Sequence, residues 1–239
     1  GTGKTLGENL AALKNSDFYK QRAAGLSQLG LSKQDIIRPY DRPLSDHGTI
    51  AILRGNLAPE GAVVKHSAVP KEMFKAVLRA RPFDCEEDAI AAVLKHDIKP
   101  GDAVLVRYEG PKGSGMPEMF YTTEAISSDR ELGKTIALIT DGRFSGASTG
   151  PAIGHVSPEA AEGGPIALVE EGDLIELDIP NRLLRICGLA GAKKSEAEIE
   201  AILAQRRSAW KPRPAKYTSG VLKFYTQHVL KQPWAMPDL

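Results

Sequence analysis

The chain has 239 residues, 42% of them hydrophobic, and its 31 basic and 30 acidic residues leave a formal net charge of +1. This composition supports a folded core, and the balanced charge makes nucleic acid and anionic membranes poor candidates as partners. The longest apolar runs, such as residues 135–140, are far shorter than the roughly 20 residues of a membrane-spanning helix. We therefore expect a folded cytoplasmic protein. Because the chain starts with Gly1 rather than Met, we also expect a fragment of a longer protein.

The cysteines and histidines do not indicate a metal or disulfide framework. Cys85 and Cys187 lack a paired spacing and are too few for a disulfide scaffold. We predict that both are small buried or half-buried thiols. The five histidines show no zinc-binding spacing, which favours hydrogen-bonded structural roles.

The sequence divides into three stretches that differ in residue pattern and predicted secondary structure. Residues 1–40 are predicted to be helix and loop, with capping-box character at residues 32–37. Residues 41–190 are predicted to be a β-rich domain, because short β-branched runs alternate there with Gly and Pro. Residues 191–239 are predicted to be a helical tail. The predicted strands cover residues 49–53, 62–65, 103–108, 134–140, 166–169, 173–179 and 182–186.

Four helices are predicted within and after the β-rich stretch, which makes the fold class α+β. Residues 85–94 carry acids in the first turn, and residues 117–127 have Pro117 in first position. Residues 195–210 begin with a Ser cap and a Glu three residues later. A weaker helix is predicted at residues 217–231.

A Gly-rich turn, residues 141–150, follows directly on the strand predicted at 134–140. Its glycines permit close approach of the backbone to a ligand, and its polar groups would converge on a small site. Ser145 stands in Gly-Arg-Phe-Ser-Gly, one residue too long for a nucleophile elbow of the hydrolase type. An acyl-transfer triad is therefore not supported, and the alternative is a tight turn capped by Asp141 without a catalytic role.

A second loop, residues 108–118, also follows a predicted strand. Glu109 and Glu118 lie beside its Gly and Pro residues, an arrangement that suits a hard cation such as Mg²⁺. The alternative is that both acids are solvated or cap helices.

Several motifs together resemble one enzyme family. They are LRGNLAPEGAVVK at 53–65, residues 107–118, TDGRFSG at 140–146, GHVSPEA at 154–160, and the run from EGGPIAL at 162–168 to IPNR at 179–182. In order and spacing they resemble the dihydroxy-acid dehydratase and phosphogluconate dehydratase family over residues 1–186, and dihydroxy-acid dehydratases most. The alternatives left open are a sugar-acid or phosphogluconate dehydratase and a non-catalytic domain that binds a partner.

The resemblance implies the C-terminal half of a two-domain enzyme that converts a 2,3-dihydroxy carboxylic acid to a 2-keto acid. This half is expected to be a swivelling β-barrel-like domain with flanking helices. Family members hold an iron–sulfur cluster and Mg²⁺ at the domain junction, and the cluster cysteines come from the N-terminal domain. Cys85 and Cys187 match none of them, so the chain alone is expected to be inactive. Without its N-terminal domain the chain would expose apolar surface, so we also expect a homo-oligomer.

The resemblance also assigns roles to residues. It implies that Ser145 is the base, that Glu118 ligates Mg²⁺, and that Arg143 and Lys112 help to hold the substrate carboxylate. The backbone of Gly142 and Gly146 is expected to contribute to the same task. Ala147 and Ser148 stand where sugar-acid dehydratases of the family often have a threonine, which favours a branched-chain substrate. The loop at residues 112–116 is one residue shorter than in the family's usual pattern.

Overall fold

A computed structural model describes residues 1–146 and 148–230. The chain divides into two compact units, and the boundary between them along the sequence lies after Gly48. The first unit contains helices α1 (Leu6–Lys14), α2 (Asp17–Gln28) and α3 (Lys33–Ile36). None of its residues is buried. The helices predicted here are present, whereas the domain limits after residues 40 and 190 stay predictions.

In the described part of the second unit, nine strands form one sheet. Their bounds are β1 Ile50–Leu53, β2 Gly61–Lys65, β3 Lys75–Phe83, β4 Asp102–Val106, β5 Ala137–Thr140, β6 Ala152–Ser157, β7 Leu174–Asp178, β8 Leu183–Leu189 and β9 Ala192–Lys193. The sheet order is β1-β2-β6-β5-β4-β3-β7-β8-β9. The four central strands β6, β5, β4 and β3 are parallel to one another, and all other strand pairs of the sheet are antiparallel.

The sheet curls, so that the chain after β1 reaches β8. Arg54 N–H donates to Arg182 O and Leu184 N–H donates to Arg54 O, both at 2.8 Å. Asn56 extends this link, because its side chain exchanges two hydrogen bonds with the backbone of Ile186. The α+β class and the barrel-like sheet predicted from the sequence are confirmed.

Six helices complete the described part of this unit: α4 Glu86–Leu94, α5 Pro111–Ser114, α6 Phe120–Ser128, α7 Leu132–Thr135, α8 Glu196–Ala209 and α9 Gly220–His228. Strand β4 must be covered on both faces, because all five of its residues are buried. Ala103 and Leu105 belong to the core inside the curl, whereas Val104 and Val106 belong to a second core with residues of α4 and α6. Burial on both faces is typical of parallel strands.

Three predicted elements differ in the structure. Residues 166–169 are not a strand; they fall in a 3-10 helix, Pro165–Leu168, whose first position is taken by a proline. The helix predicted from Pro117 begins at Phe120, because Met119 N–H donates to the backbone O of Arg143 and Glu118 forms an isolated bridge with the same residue. The strand predicted from residue 134 begins at Ala137, since α7 occupies the residues before it.

Three strands were not predicted: β3, β6 and the two-residue β9. Pro82 and three basic residues interrupt the apolar pattern of β3, and Gly154 and His155 interrupt that of β6. The last helix was predicted to reach residue 231, which lies outside the described residues; α9 ends at His228. Within residues 1–146 and 148–230, the helices are too short or too polar to cross a membrane.

Candidate functional site

Two polar loops meet at one edge of the sheet. Val106 and Thr140 are paired in register at the ends of the neighbouring parallel strands β4 and β5. The β4 loop (residues 107–119) and the β5 loop (residues 141–151) therefore begin side by side. The carboxyl ends of parallel strands are where α/β sheets commonly bind ligands.

Asp141 joins the beginnings of the two loops. Its carboxylate is fully buried and accepts N–H donors from Glu109 at 2.9 Å, Tyr108 at 3.1 Å and Ala160 at 2.8 Å. Burial raises the pKa of Asp141 to about 7, although the three N–H donors favour the ionised form. The negative charge of Glu159 adds to the rise. Asp141 is therefore a structural tie between the loops.

A second tie brings Glu118 to the β5 loop. Glu118 forms an isolated parallel bridge with Arg143, and Met119 N–H donates to Arg143 O at 2.9 Å. The Arg143 guanidinium in turn donates from Nε to Met116 O at 3.0 Å. The carboxylate of Glu118 remains exposed at this edge. The structure thus places the backbone of Glu118 against the loop that carries Ser145.

Ser145 is half-buried and lines a shallow pocket of about 180 Å³. The β5 loop lies here on β6, where a Cβ added to Gly154 would be 3.1 Å from the Phe144 ring. At the far end of the loop, Gly150 N–H donates to Ala68 O at 3.0 Å. The role of Ser145 as a base stays a prediction.

The backbone groups of the two predicted glycine ligands differ in their surroundings. Gly142 is buried, its N–H donates to Thr140 Oγ1 at 2.9 Å, and its carbonyl accepts from His155 N–H at 2.8 Å. Gly146 is exposed, and its carbonyl accepts from Lys65 Nζ at 2.5 Å. The N–H of Gly142 is thus already hydrogen-bonded within the protein. Gly146 lines the same pocket as Ser145.

Lys112 lines a different pocket from Ser145. Its ammonium group is ion-paired with Glu162, and it borders a pocket of about 390 Å³ together with Tyr108, Arg213 and Lys216. The structure therefore joins Glu118, Arg143 and the Ser145 loop, whereas Lys112 points to another neighbour. Its role as a substrate ligand stays a prediction.

Two buried carboxylates, those of Glu159 and Glu109, accept hydrogen bonds from groups of the β4 loop. Glu159 accepts the N–H groups of Lys112 and Gly113 at the beginning of α5, at 3.0 Å each, and burial raises its pKa. Glu109, which is 1% exposed, accepts from Ser114 Oγ and from Glu86 N–H. The residue pattern alone left Glu109 and Glu118 as candidates for a cation, and the family resemblance favoured Glu118. Burial also distinguishes them, since Glu109 is enclosed and Glu118 is exposed.

The segment after α8 covers the β4 loop, which the sequence analysis did not foresee. Trp210 Nε1–H donates to Tyr108 Oη at 3.3 Å, and the Arg213 guanidinium lies 4.8 Å from the centre of the Tyr108 ring. Lys216 Nζ lies 3.4 Å from a carboxylate oxygen of the buried Glu109. The sequence does show an aromatic residue and spaced basic residues after the predicted helix at 195–210. Nothing in the sequence indicated which residues they contact.

The described residues offer part of a magnesium site and no cluster site. No group of three or more His, Cys, Asp or Glu side chains gathers there to hold a metal ion. The exposed Glu118 nevertheless fits Mg²⁺, which often takes only one or two carboxylates from a protein. Burial raises the pKa of Cys85 and Cys187, which favours the protonated thiol over the thiolate that a cluster requires. Cys85 precedes α4 and Cys187 lies on β8, and in the described part of the chain neither belongs to a group of three or more possible metal ligands, so these cysteines do not fit a cluster.

Comparison with known proteins identifies the family of this domain. The curled mixed sheet, with a serine loop and a carboxylate loop at adjacent strand ends, defines the chain as an α+β domain. The chain belongs to the family of dihydroxy-acid and 6-phosphogluconate dehydratases, because residues 35–233 match the family model described as "Dihydroxy-acid/6-phosphogluconate dehydratase C-terminal". The resemblance inferred from the sequence motifs is confirmed.

Proteins named dihydroxy-acid dehydratase are similar over almost the whole chain. The one from Agathobacter rectalis is 51% identical over 226 residues, and the match covers 94% of this chain. Those from Lachnoclostridium phytofermentans and Oleidesulfovibrio alaskensis are 50% identical over 229 residues and 95% of this chain. The chain spans 35%, 36% and 37% of these three relatives, about a third of their length.

Proposed function

We propose that the chain is the C-terminal part of a hydro-lyase that dehydrates a 2,3-dihydroxy carboxylic acid to a 2-keto acid. The observation that carries the proposal is the bridge between Glu118 and Arg143, which joins the carboxylate loop to the serine loop. The similar proteins named dihydroxy-acid dehydratase support the reaction. The branched-chain substrate of amino acid biosynthesis in this proposal rests on the family resemblance and on Ala147 and Ser148.

The reaction needs a base at C2 and a stabilised leaving group at C3. In our proposal Ser145 takes the C2 proton, a double bond forms between C2 and C3, and the C3–O bond breaks. The departing hydroxide takes up one proton, which balances the one removed from C2, and leaves as water. The resulting enol then tautomerises to the 2-keto acid. Arg143, which is exposed and lies two residues before Ser145 in the chain, and the backbone of Gly146 would bind the substrate carboxylate. Gly142 and Lys112 stay weaker candidates, since both are engaged elsewhere.

Ser145 needs a positive neighbour to act as a base. A serine hydroxyl is a very weak acid, and its alkoxide is favoured only where positive charge lies close to it. Glu118 is the residue that would hold Mg²⁺, which when bound supplies Lewis-acid stabilisation of the charge that develops on the substrate. The remaining ligands, and the whole iron–sulfur cluster, would come from the part of the enzyme beyond this chain.

That remaining part is the proposed partner. The chain spans only 35% of the relative from Agathobacter rectalis. The first unit exposes large apolar side chains, including Leu6 at 75%, Phe18 at 61% and Ile37 at 68%. In our proposal the remaining part of the enzyme covers some of these side chains. A cytoplasmic location and homo-oligomeric assembly stay predictions.

The proposal is tested with the full-length enzyme and with this chain alone. The full-length enzyme should convert 2,3-dihydroxyisovalerate to the 2-keto acid, and the chain should do so only when mixed with the separately expressed N-terminal part. Ser145→Ala should lower kcat roughly 10²–10⁴-fold, the usual contribution of a general base. Ser127→Ala is the matched control, because Ser127 is exposed on α6 and donates only locally, to Glu124 O.

Other outcomes identify the alternatives. Turnover of an aldonate or 6-phosphogluconate in preference to the branched substrate would replace the substrate class and keep the reaction. An active enzyme that is insensitive to Ser145→Ala would remove Ser145 from the base role. Absence of dehydration with every substrate, although the cluster is present, would contradict the proposal.

A further inference from the structure

Lys65 closes the motif at residues 53–65, and the proposed function gives it no role. It is the last residue of β2, and its Nζ donates to the carbonyl of Gly146 at 2.5 Å. We propose that Lys65 is a positioning residue of the Ser145 site, which holds the β5 loop at the residue after Ser145 and adds positive charge to the Ser145 pocket. This inference rests on the proposed function and extends it.

The register of β2 explains why Lys65 reaches this loop. Ala62 and Val64 are buried in the core, and the alternation of a strand turns Val63 and Lys65 to the opposite face. Antiparallel pairing of β2 with β6, with Val63 opposite Gly154, extends this face across two strands. The Ser145 loop lies on the same face.

The pocket itself brings the two side chains together. Lys65 and Ser145 both line it, with Gly146 on its rim and His155 from β6 beside them. Lys65 is half-buried, so its charge is less screened by water than that of an exposed lysine. A cation in such a pocket favours the alkoxide of a serine and attracts a substrate carboxylate.

The loop needs support at this point. Phe144 rests on Gly154, and Gly150 is bonded to Ala68, but Gly146 is exposed and has no Cβ to restrict its conformation. The hydrogen bond from Lys65 acts between these two anchors, one residue from Ser145. A charged donor makes such a bond shorter and stronger than a neutral one.

Kinetics of the full-length enzyme test the positioning role. Lys65→Met keeps the aliphatic stem and removes the charge and the donor, and it should lower kcat about 10- to 100-fold, the scale expected for a misplaced catalytic group. Lys65→Arg should recover most of the loss, because it restores the charge and the donor. Lys75→Met is the matched control, since Lys75 lies on β3 and pairs with Asp178 at 3.0 Å. If Lys65 had only a structural role, Lys65→Met would lower the amount of folded enzyme, and kcat per folded enzyme would not differ between Lys65→Met and Lys65→Arg.

Amide hydrogen exchange on the 239-residue chain gives a readout that needs no activity. Lys65→Met should accelerate exchange in residues 143–146 and leave strands β4 and β7 unchanged, and Lys65→Arg should restore protection. Unchanged exchange in the loop would overturn the positioning role. Wild-type kcat for Lys65→Met in an enzyme that is sensitive to Ser145→Ala would also overturn it. An inactive wild-type enzyme would instead contradict the proposed function, and the exchange data would still decide whether Lys65 holds the loop.

Discussion

Asp141 shows how one buried carboxylate organises the site. Its two oxygens accept three backbone N–H groups, from Tyr108, Glu109 and Ala160, and so tie both loops to the segment after β6. Glu118 and Ser145 bear the proposed chemistry, yet their loops start from this buried group. Single residues therefore supply both the proposed reacting groups, on Ser145 and Glu118, and the group that holds their loops, on Asp141.

The raised pKa of Asp141 predicts a pH dependence of stability. Its pKa rises from 3.8 to about 7 on folding, so between these values the folded state keeps a proton that the unfolded state has lost. The free energy of unfolding should therefore fall as pH rises through this window, by at most about 1.4 kcal/mol per pH unit from this group.

Asp141→Asn should flatten this slope, because the amide does not titrate. Urea unfolding of both proteins at several pH values between about 4 and 8 measures the effect. Some slope should remain in the variant, because burial also raises the pKa of Glu159. Equal slopes in the two proteins would contradict the assignment.

Gly154→Ala is predicted to disturb the Ser145 loop. The added Cβ would lie 3.1 Å from the Phe144 ring and 3.3 Å from the carbonyl O of Gly142, which is tighter than ordinary contact. We expect kcat of the full-length enzyme to fall roughly tenfold, because the loop must shift.

The double variant Gly154→Ala with Phe144→Leu tests the reason. A smaller side chain at residue 144 relieves the contact, so part of the lost kcat should return, and the two substitutions should not be additive. Simple addition of the two losses would show that the ring contact is not the cause.

At the scale of elements, α8 is attached to the sheet domain through Arg206. Its guanidinium forms ion pairs with Asp173 and, at 2.8 Å, with Glu170, and it donates to Leu168 O at 3.0 Å. Asp173 is 1% exposed, so Arg206 forms an ion pair with a buried carboxylate. Ile199 adds the apolar contact of the same helix.

Arg206→Met should lower the free energy of unfolding by about 3–5 kcal/mol, because it leaves a buried carboxylate without its cation. Lys194→Met is the control. Lys194 and Glu198 form an ion pair at 3.4 Å with side chains 39% and 55% exposed, and such a pair contributes about 1 kcal/mol or less. Chemical denaturation of the two variants compares them, and equal losses would contradict the role of Arg206.

At the scale of the whole molecule, the two units differ in how they are stabilised. None of the residues before Ala51 belongs to the buried core, and the helices of the first unit are held by local caps such as Thr5 and Ser32. The second unit contains both cores. Its folding should not depend on the first unit.

Deletion of residues 1–48 should therefore leave the thermal transition of the remaining chain almost unchanged. We expect a shift in Tm below about 3 °C, which corresponds to roughly 1 kcal/mol for a domain of this size. Differential scanning calorimetry measures it. A fall in Tm of about 10 °C or more would show that the first unit contributes to the stability of the sheet domain.

Local signals in the sequence determined much of this protein. The Ser195 cap with Glu198 predicted α8 almost to its ends, and the β-branched runs predicted most strands, because capping and side-chain alternation act within a few residues. The same local reasoning placed Ser145 and Glu118 in loops after strands. The family motifs, being contiguous, were also readable without a structure.

Tertiary structure alone decided which of these residues meet and which are enclosed. Lys65 contacts Gly146 across 81 residues, and no local pattern encodes that contact. Burial distinguished Glu109 from Glu118, because it depends on Lys216 and other groups distant in sequence. Parallel strands had to pair before the two loops became neighbours. The chemical groups of the site are thus local properties of the sequence, and their arrangement depends on long-range packing.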